Sequence, residues 1–133
     1  MALMDDTLAI ERLVARYNHA IDSGDAEAWA GTFVADGVFQ LAGRDPVVGR
    51  EALCEFARGL APSSMRHFVS NLVVDVDAGG ETATLRAYLA LIRDHGIAMT
   101  GAYKDTLRKV DGEWGFVRRL FTSDPRPEAS PAQ

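Results

Sequence analysis

The sequence predicts an α+β fold in which three N-terminal helices cover one face of a curved, mostly antiparallel sheet. Three observations carry that prediction. Apolar residues recur at helical spacing up to about Leu60, and they alternate at strand spacing beyond Met65. The third is the pair Asp111-Gly112, the two-residue signal of a tight hairpin between alternating runs.

Ile10, Leu13, Val14, Tyr17 and Ile21 form one stripe of a helix from about Asp6 to Asp22, with Glu11, Arg12, Arg16 and Asn18 off it. Asp5, Asp6 or Thr7 can cap its start, where side-chain oxygens meet free amides. Ser23-Gly24 ends it, and Asp25 is placed to cap a second helix, Ala26 to Phe33. Asp36-Gly37 reads as a turn, and Val38 to Ala42 as a short strand closed by Gly43-Arg44-Asp45-Pro46. Gly49 precedes a third helix, which runs to about Leu60 with Leu53, Phe56, Ala57 and Leu60 on its inner face. Pro62-Ser63-Ser64 then leads into strands Met65–Val76, Thr82–Arg93, Ile97–Val110 and Glu113–Phe121. Pairing Val110 with Glu113 sets Leu107 opposite Phe116, Asp105 opposite Arg118 and Tyr103 opposite Leu120. Each pair is matched in character, and a one-residue slip would destroy all three. Residues 1–124 read as one domain, and the Pro-containing tail 125–133 as disordered.

The composition is that of an ordinary globular protein, with 47% hydrophobic and 25% charged residues. A net charge of −5 argues against nucleic-acid and anionic-membrane partners, which need clustered Lys and Arg. One cysteine, Cys54, excludes an intrachain disulfide and any multi-Cys metal site, and reads as a small helix residue. Neither a secretory leader nor a membrane span is visible, so a cytoplasmic location is the expectation.

In the strand Met65–Val76, alternation puts His67, Val69, Asn71 and Val73 on one face and Phe68, Ser70, Leu72, Val74 and Val76 on the other. An imidazole and a carboxamide two residues apart on an otherwise apolar surface suit the floor of a small-molecule pocket. The structural alternative for His67 is a hydrogen-bonded core residue. Tyr17, on the buried stripe, is a candidate to polarise a substrate oxygen, or else a core aromatic. Asn71 could donate to a developing oxyanion or make a structural hydrogen bond. Tyr103 shares a face with Met99 and Asp105 and is a further substrate-binding candidate, with Arg118 neutralising Asp105 as scaffold. His19 and His95 fall in solvent, so no metal site assembles from the histidines. Phosphate-binding Gly loops and nucleophile elbows are absent, so any catalysis is expected to need no cofactor.

Several of these residues also stand in a familiar pattern. Tyr17, Asp22, Gly24-Asp25; Phe33, Asp36-Gly37-Val38-Phe39; Gly49-Arg50-Glu51-Ala52; Arg66-His67, Asn71; Gly101, Tyr103, Asp105; and Asp111-Gly112, Trp114 resemble the SnoaL-like branch of the NTF2-like superfamily, from about Asp6 to Asp124. The resemblance implies a cone in which helices and a concave sheet face enclose an apolar cavity. It spans polyketide cyclases, scytalone dehydratase, a dehydrochlorinase, ketosteroid isomerase, epoxide hydrolases and non-catalytic binders, so the fold does not choose the reaction. In the dehydratase and dehydrochlorinase a strand histidine takes a proton from carbon and a carboxylate at the first helix end assists it. His67 matches the histidine and Asp22 the carboxylate, with Asp25 as the alternative partner. No second pocket histidine matches that of scytalone dehydratase, and no pair of pocket acids matches ketosteroid isomerase.

The chemistry suits that pairing. A carboxylate on one ring nitrogen fixes the tautomer, so the other nitrogen is a free base. Such assistance is worth ~10²- to 10⁴-fold. Asp22 could instead bond solvent or the Ser23-Gly24 turn amides, but a negative charge at a helix C-terminus is unfavourable by ~0.3–1 kcal/mol, so the position needs some other reason. The expectation is a lyase- or isomerase-like enzyme acting by proton transfer on a small apolar or aromatic molecule. The alternative is a binder that uses the same cavity without chemistry. Helices cover one sheet face only, so a homodimer through the other is expected.

Overall fold

The computed structural model describes residues 2–60 and 64–126, with side chains from Asp5 onward. Pro62, Ser63 and the tail from residue 127 lie outside the described residues, and with them most of the segment expected to be disordered. The elements are α1 (Ala2–Ser23), α2 (Ala26–Ala30), β1 (Phe33–Leu41), β2 (Val47–Val48), α3 (Arg50–Arg58), β3 (Met65–Val76), β4 (Thr82–Arg93), β5 (Gly96–Val110) and β6 (Glu113–Ser123). The strands form one curved, unclosed six-stranded sheet in the order β2-β1-β6-β5-β4-β3. Among the described strands only β1 and β6 pair in parallel. No described helix is long and apolar enough to cross a membrane.

The stripe on α1 is buried as its spacing requires: Ile10, Leu13, Val14 and Tyr17 are each at most 4% exposed. They meet Trp29, Phe33, Leu53, Leu85, Leu107 and Phe116 in one core between the helices and the sheet. At the N-terminal end of α1, Asp6 accepts from Trp114 Nε1 at 3.0 Å and pairs with Lys109 Nζ at 2.8 Å. These contacts tie the helix to the β5–β6 hairpin, and they hold the Asp6 carboxyl below its usual range.

Several local expectations are corrected. α2 stops at Ala30, where the Thr32 hydroxyl donates to the Trp29 carbonyl at 2.7 Å. Phe33 therefore opens β1 instead of extending a helix. Asp36-Gly37 is an irregularity inside β1, not a turn: pairing with β6 jumps from Phe33↔Phe116 to Val38↔Arg118. A Cβ on Gly37 would stand 2.8 Å from Phe33 Cβ and 2.9 Å from the Val34 carbonyl oxygen, so only glycine fits this close approach. Leu60 lies past the end of α3 and is 40% exposed, though it still borders an apolar cavity.

The hairpin register holds at its start, with Val110↔Glu113 and Leu107↔Phe116, and Asp111 and Gly112 take the positive φ that such a turn needs. It then slips by one at Val117. Asp105 faces Arg119 and Tyr103 faces Phe121, not Arg118 and Leu120. A bulge reverses which residues point inward, and here it drives Arg119 into the core while Arg118 turns outward to bond Gln40. The same event occurs in β3, where pairing with β4 shifts between Ser70 and Val73 and Asn71 has φ 56°. Met65, His67 and Val69 face inward before the shift, and Leu72, Val74 and Val76 after it.

Candidate active site

His67 and Asp22 meet. Asp22 is the penultimate residue of α1, and its Oδ1 lies 2.6 Å from His67 Nδ1. Its Oδ2 accepts the backbone N–H of His67 at 3.1 Å. That second bond exists because β3 is an edge strand, so alternate N–H groups point away from β4 and are free for a partner. The two bonds give a carboxylate at a helix C-terminus the partner its charge requires. Both side chains are 13% exposed, which weakens screening by solvent. Asp25, the alternative, is spent elsewhere: its side chain caps α2 by accepting from Ala28 N at 3.1 Å.

The His67 ring lies in a partition. On one side is an apolar cavity of about 200 Å³, lined by Tyr17, Trp29, Phe39, Phe56, Tyr103 and Phe121 with Leu89, Leu91 and Met99. On the other is a polar cleft of about 410 Å³, shared by Asp22 with Asn18, His19, Ser23 and Arg66. Of the sequence-derived candidates, the cavity gathers His67, Tyr17 and Tyr103, with Asp22 reaching it through the imidazole. Asn71 is not among them. The β3 bulge turns its side chain to solvent on the outer face, so it has no access to a substrate oxygen inside.

Behind the cavity wall sits a group that strand alternation hid. The Arg119 guanidinium is fully buried, 3.6 Å from the Tyr103 ring centroid and 4.3 Å from that of Tyr17. Its Nε donates to Asp105 Oδ1 at 3.2 Å, while Nη1, Nη2 and Asp105 Oδ2 have no hydrogen-bond partner among the described residues. The pair is thus stacked more than hydrogen-bonded, with the cation against two phenol faces. Burial pushes the Asp105 carboxyl up to about 6, with Arg119 pulling the other way. Burial also raises Tyr17 and Tyr103 above the usual phenol range despite the Arg119 charge. Both phenols therefore stay protonated and can donate a hydrogen bond. Trp29 Nε1 has no well-aligned hydrogen-bond partner among the described residues, and its approach to the Tyr17 hydroxyl works against the upward shift. No group of three or more metal-ligating side chains occurs among the described residues.

The model of the SnoaL-like domain matches residues 2–120. The chain belongs to the SnoaL-like family. Its fold is shared with solved NTF2-like proteins of cystatin-like fold. One, from Novosphingobium aromaticivorans, is 31% identical, with TM-score 0.83 over 91% of this chain and 83% of its own. A protein of unknown function from Mycobacterium tuberculosis, solved as an aspartate-to-asparagine variant, is 35% identical, with TM-score 0.86 over 92% of this chain and 73% of its own. A candidate scytalone dehydratase from Novosphingobium aromaticivorans is 25% identical, with TM-score 0.83 over 98% and 92%. No curated protein matches significantly.

Proposed function

We propose that this SnoaL-like protein is a cofactor-independent enzyme that removes a proton from carbon in a small, largely apolar molecule, leading to dehydration, another elimination, isomerisation or cyclisation. The observation that carries the reading is the 2.6 Å contact between Asp22 Oδ1 and His67 Nδ1 on the wall of an apolar cavity. Asp22 holds the proton on Nδ1, which leaves the Nε2 lone pair as the base. As the C–H bond breaks, the proton goes to Nε2. Its electron pair stays on the substrate, moving into an adjacent carbonyl or expelling a leaving group. The imidazolium that forms is stabilised by Asp22. Tyr17 and Tyr103, kept neutral by burial, donate to the substrate oxygen on which charge grows. The similarity to a candidate scytalone dehydratase supports a lyase.

The test is a carbon acid whose ring opening needs only a base. 1,2-Benzisoxazole loses its C–H proton to the base while the N–O bond breaks, releasing 2-cyanophenolate, which is followed by its ultraviolet absorbance. The wild type should accelerate this over free imidazole, and His67→Ala should lose ~10²-fold or more while keeping its circular dichroism. Equal rates in the two proteins would overturn the assignment and leave a cavity that binds without chemistry.

The homodimer belongs to the same proposal. Phe68, Tyr88 and Ile97 are 62%, 59% and 69% exposed on or beside the outer sheet face, a large apolar surface for a monomer to present. Light scattering should give twice the chain mass, and Tyr88→Glu should halve it; a monomeric wild type would refute this.

A further inference from the structure

The apolar cavity and the groove outside it share Leu91, Arg93 and Met99, and that junction is the mouth. Arg93 is exposed there, and its Nη2 is held by the Met65 Sδ at 3.0 Å. A thioether is a weak, uncharged acceptor, so most of the guanidinium's donor capacity stays open. Among the described residues Arg93 forms no ion pair with a carboxylate. Arg126 lines the same groove, its Nη2 donating to the Ala98 carbonyl at 3.2 Å. Asp124 lines it too, but its Oδ2 is engaged by the Thr100 hydroxyl at 2.8 Å.

The distances suit a particular guest. His67 pairs with Leu91 across β3 and β4, and Met65 pairs with Arg93, so the backbone that carries the cation stands two residues along the strand from the base, and the guanidinium rests against Met65, its cross-strand neighbour. Two residues of strand span about 7 Å, close to the reach from a ring carbon to a carboxylate on the far side of the ring. The cavity volume of about 200 Å³ is little more than the roughly 150 Å³ of a dry cavity that accepts benzene, which allows one substituted ring or a compact bicycle such as benzisoxazole and excludes larger polycycles.

We propose that the substrate is a monocyclic acid: one ring in the cavity with its acidic C–H at His67, and a carboxylate in the guanidinium fork of Arg93 at the mouth. This rests on the proton-transfer reading above. The planar fork of an arginine matches the two oxygens of a carboxylate. Neutralising that charge also relieves the repulsion that a carboxylate would exert on the carbanion growing on the same molecule.

Isothermal titration of the full chain with phenylacetate and phenylacetamide, which share a ring and a heavy-atom count, tests the assignment at low salt. Phenylacetate should bind about two- to fivefold more tightly than the amide. Arg93→Gln should erase that preference and leave amide affinity unchanged, which also shows that the cavity is intact. Arg93→Lys should restore part of it. Equal affinity of the two probes, tighter binding of the amide, no binding of either, or a preference that survives Arg93→Gln would each overturn the proposal. His67→Ala should retain the preference for the acid, so failure of the base and failure of the anion site read out separately.

Discussion

Replacing Asp22 by Asn keeps the side-chain shape but cannot preserve both of its bonds. Asp22 accepts from His67 Nδ1 at 2.6 Å and from the His67 backbone N–H at 3.1 Å. A carboxylate accepts at both oxygens, whereas a carboxamide accepts at one end and donates at the other. If the amide oxygen takes the backbone N–H, the NH₂ faces Nδ1, which must then give up its proton. The ring switches tautomer, and Nε2 carries the hydrogen and ceases to be a base. The opposite flip sets two donors against each other at the backbone, which has no tautomer to switch, so the first arrangement wins. Losing a charge-assisted bond costs ~1.5–3 kcal/mol in a closed site and less at 13% exposure. Removing a negative charge from a helix C-terminus returns ~0.3–1 kcal/mol. The net loss is about 1 kcal/mol, a fall in Tm of roughly 3–6 °C. Nitrogen-15 spectra of the neutral imidazole should show the proton on Nδ1 in the wild type and on Nε2 in Asp22→Asn. Benzisoxazole turnover should fall by ~10²- to 10⁴-fold. A variant that keeps its proton on Nδ1 and turns over within tenfold of the wild type would refute the reasoning.

Three further outcomes follow from the buried pair and the sheet. Because the folded Asp105 carboxyl sits at about 6 against 3.8 for an unperturbed one, it holds a proton that the unfolded chain releases between those values. It therefore adds stability at low pH that is lost as pH rises through 6. Relative to Asp105→Asn, the wild type should gain up to about 3 kcal/mol in urea unfolding between pH 7 and pH 4, and parallel pH curves would contradict this. Arg119→Met should cost ~3–5 kcal/mol by stranding the Asp105 charge, and Asp105→Leu in the same chain should recover most of it; additive losses would disprove the coupling. Gly101→Ala would place a Cβ 2.4 Å from Phe121 Cζ and 2.5 Å from the Thr122 carbonyl oxygen. A loss of ~1–3 kcal/mol is expected by chemical denaturation, and an unchanged midpoint would show that the sheet opens there freely.

Much of the fold was legible because its signals are local. The stripe from Ile10 to Ile21 made α1, and Asp111-Gly112 placed Leu107 against Phe116. What escaped were the bulges, which leave no mark on an alternating pattern. Val117 looks like any strand valine, yet it decides that Arg119 and not Arg118 is buried. Asn71 carries the positive φ that asparagine tolerates better than most residues, and the carboxamide that suggested an oxyanion donor sits where the strand reverses its faces. The meeting of Asp22 with His67 could be anticipated only through resemblance, because 45 residues separate them. Arg93 ends a strand next to a turn, a place where an arginine is ordinarily just solvated, and only the cavity beside it singles it out.

The histidine set between a dry chamber and a wet one separates two kinds of traffic. If the proposed proton transfer holds, a ring-sized substrate would come and go at the mouth beside Arg93, whereas the hydrogen lifted from carbon could leave by way of Asp22 and the polar cleft without the chamber opening. Under the proposed reading, an enzyme so divided would regenerate its base while the product is still inside, so restoring the catalyst need not wait for emptying the vessel.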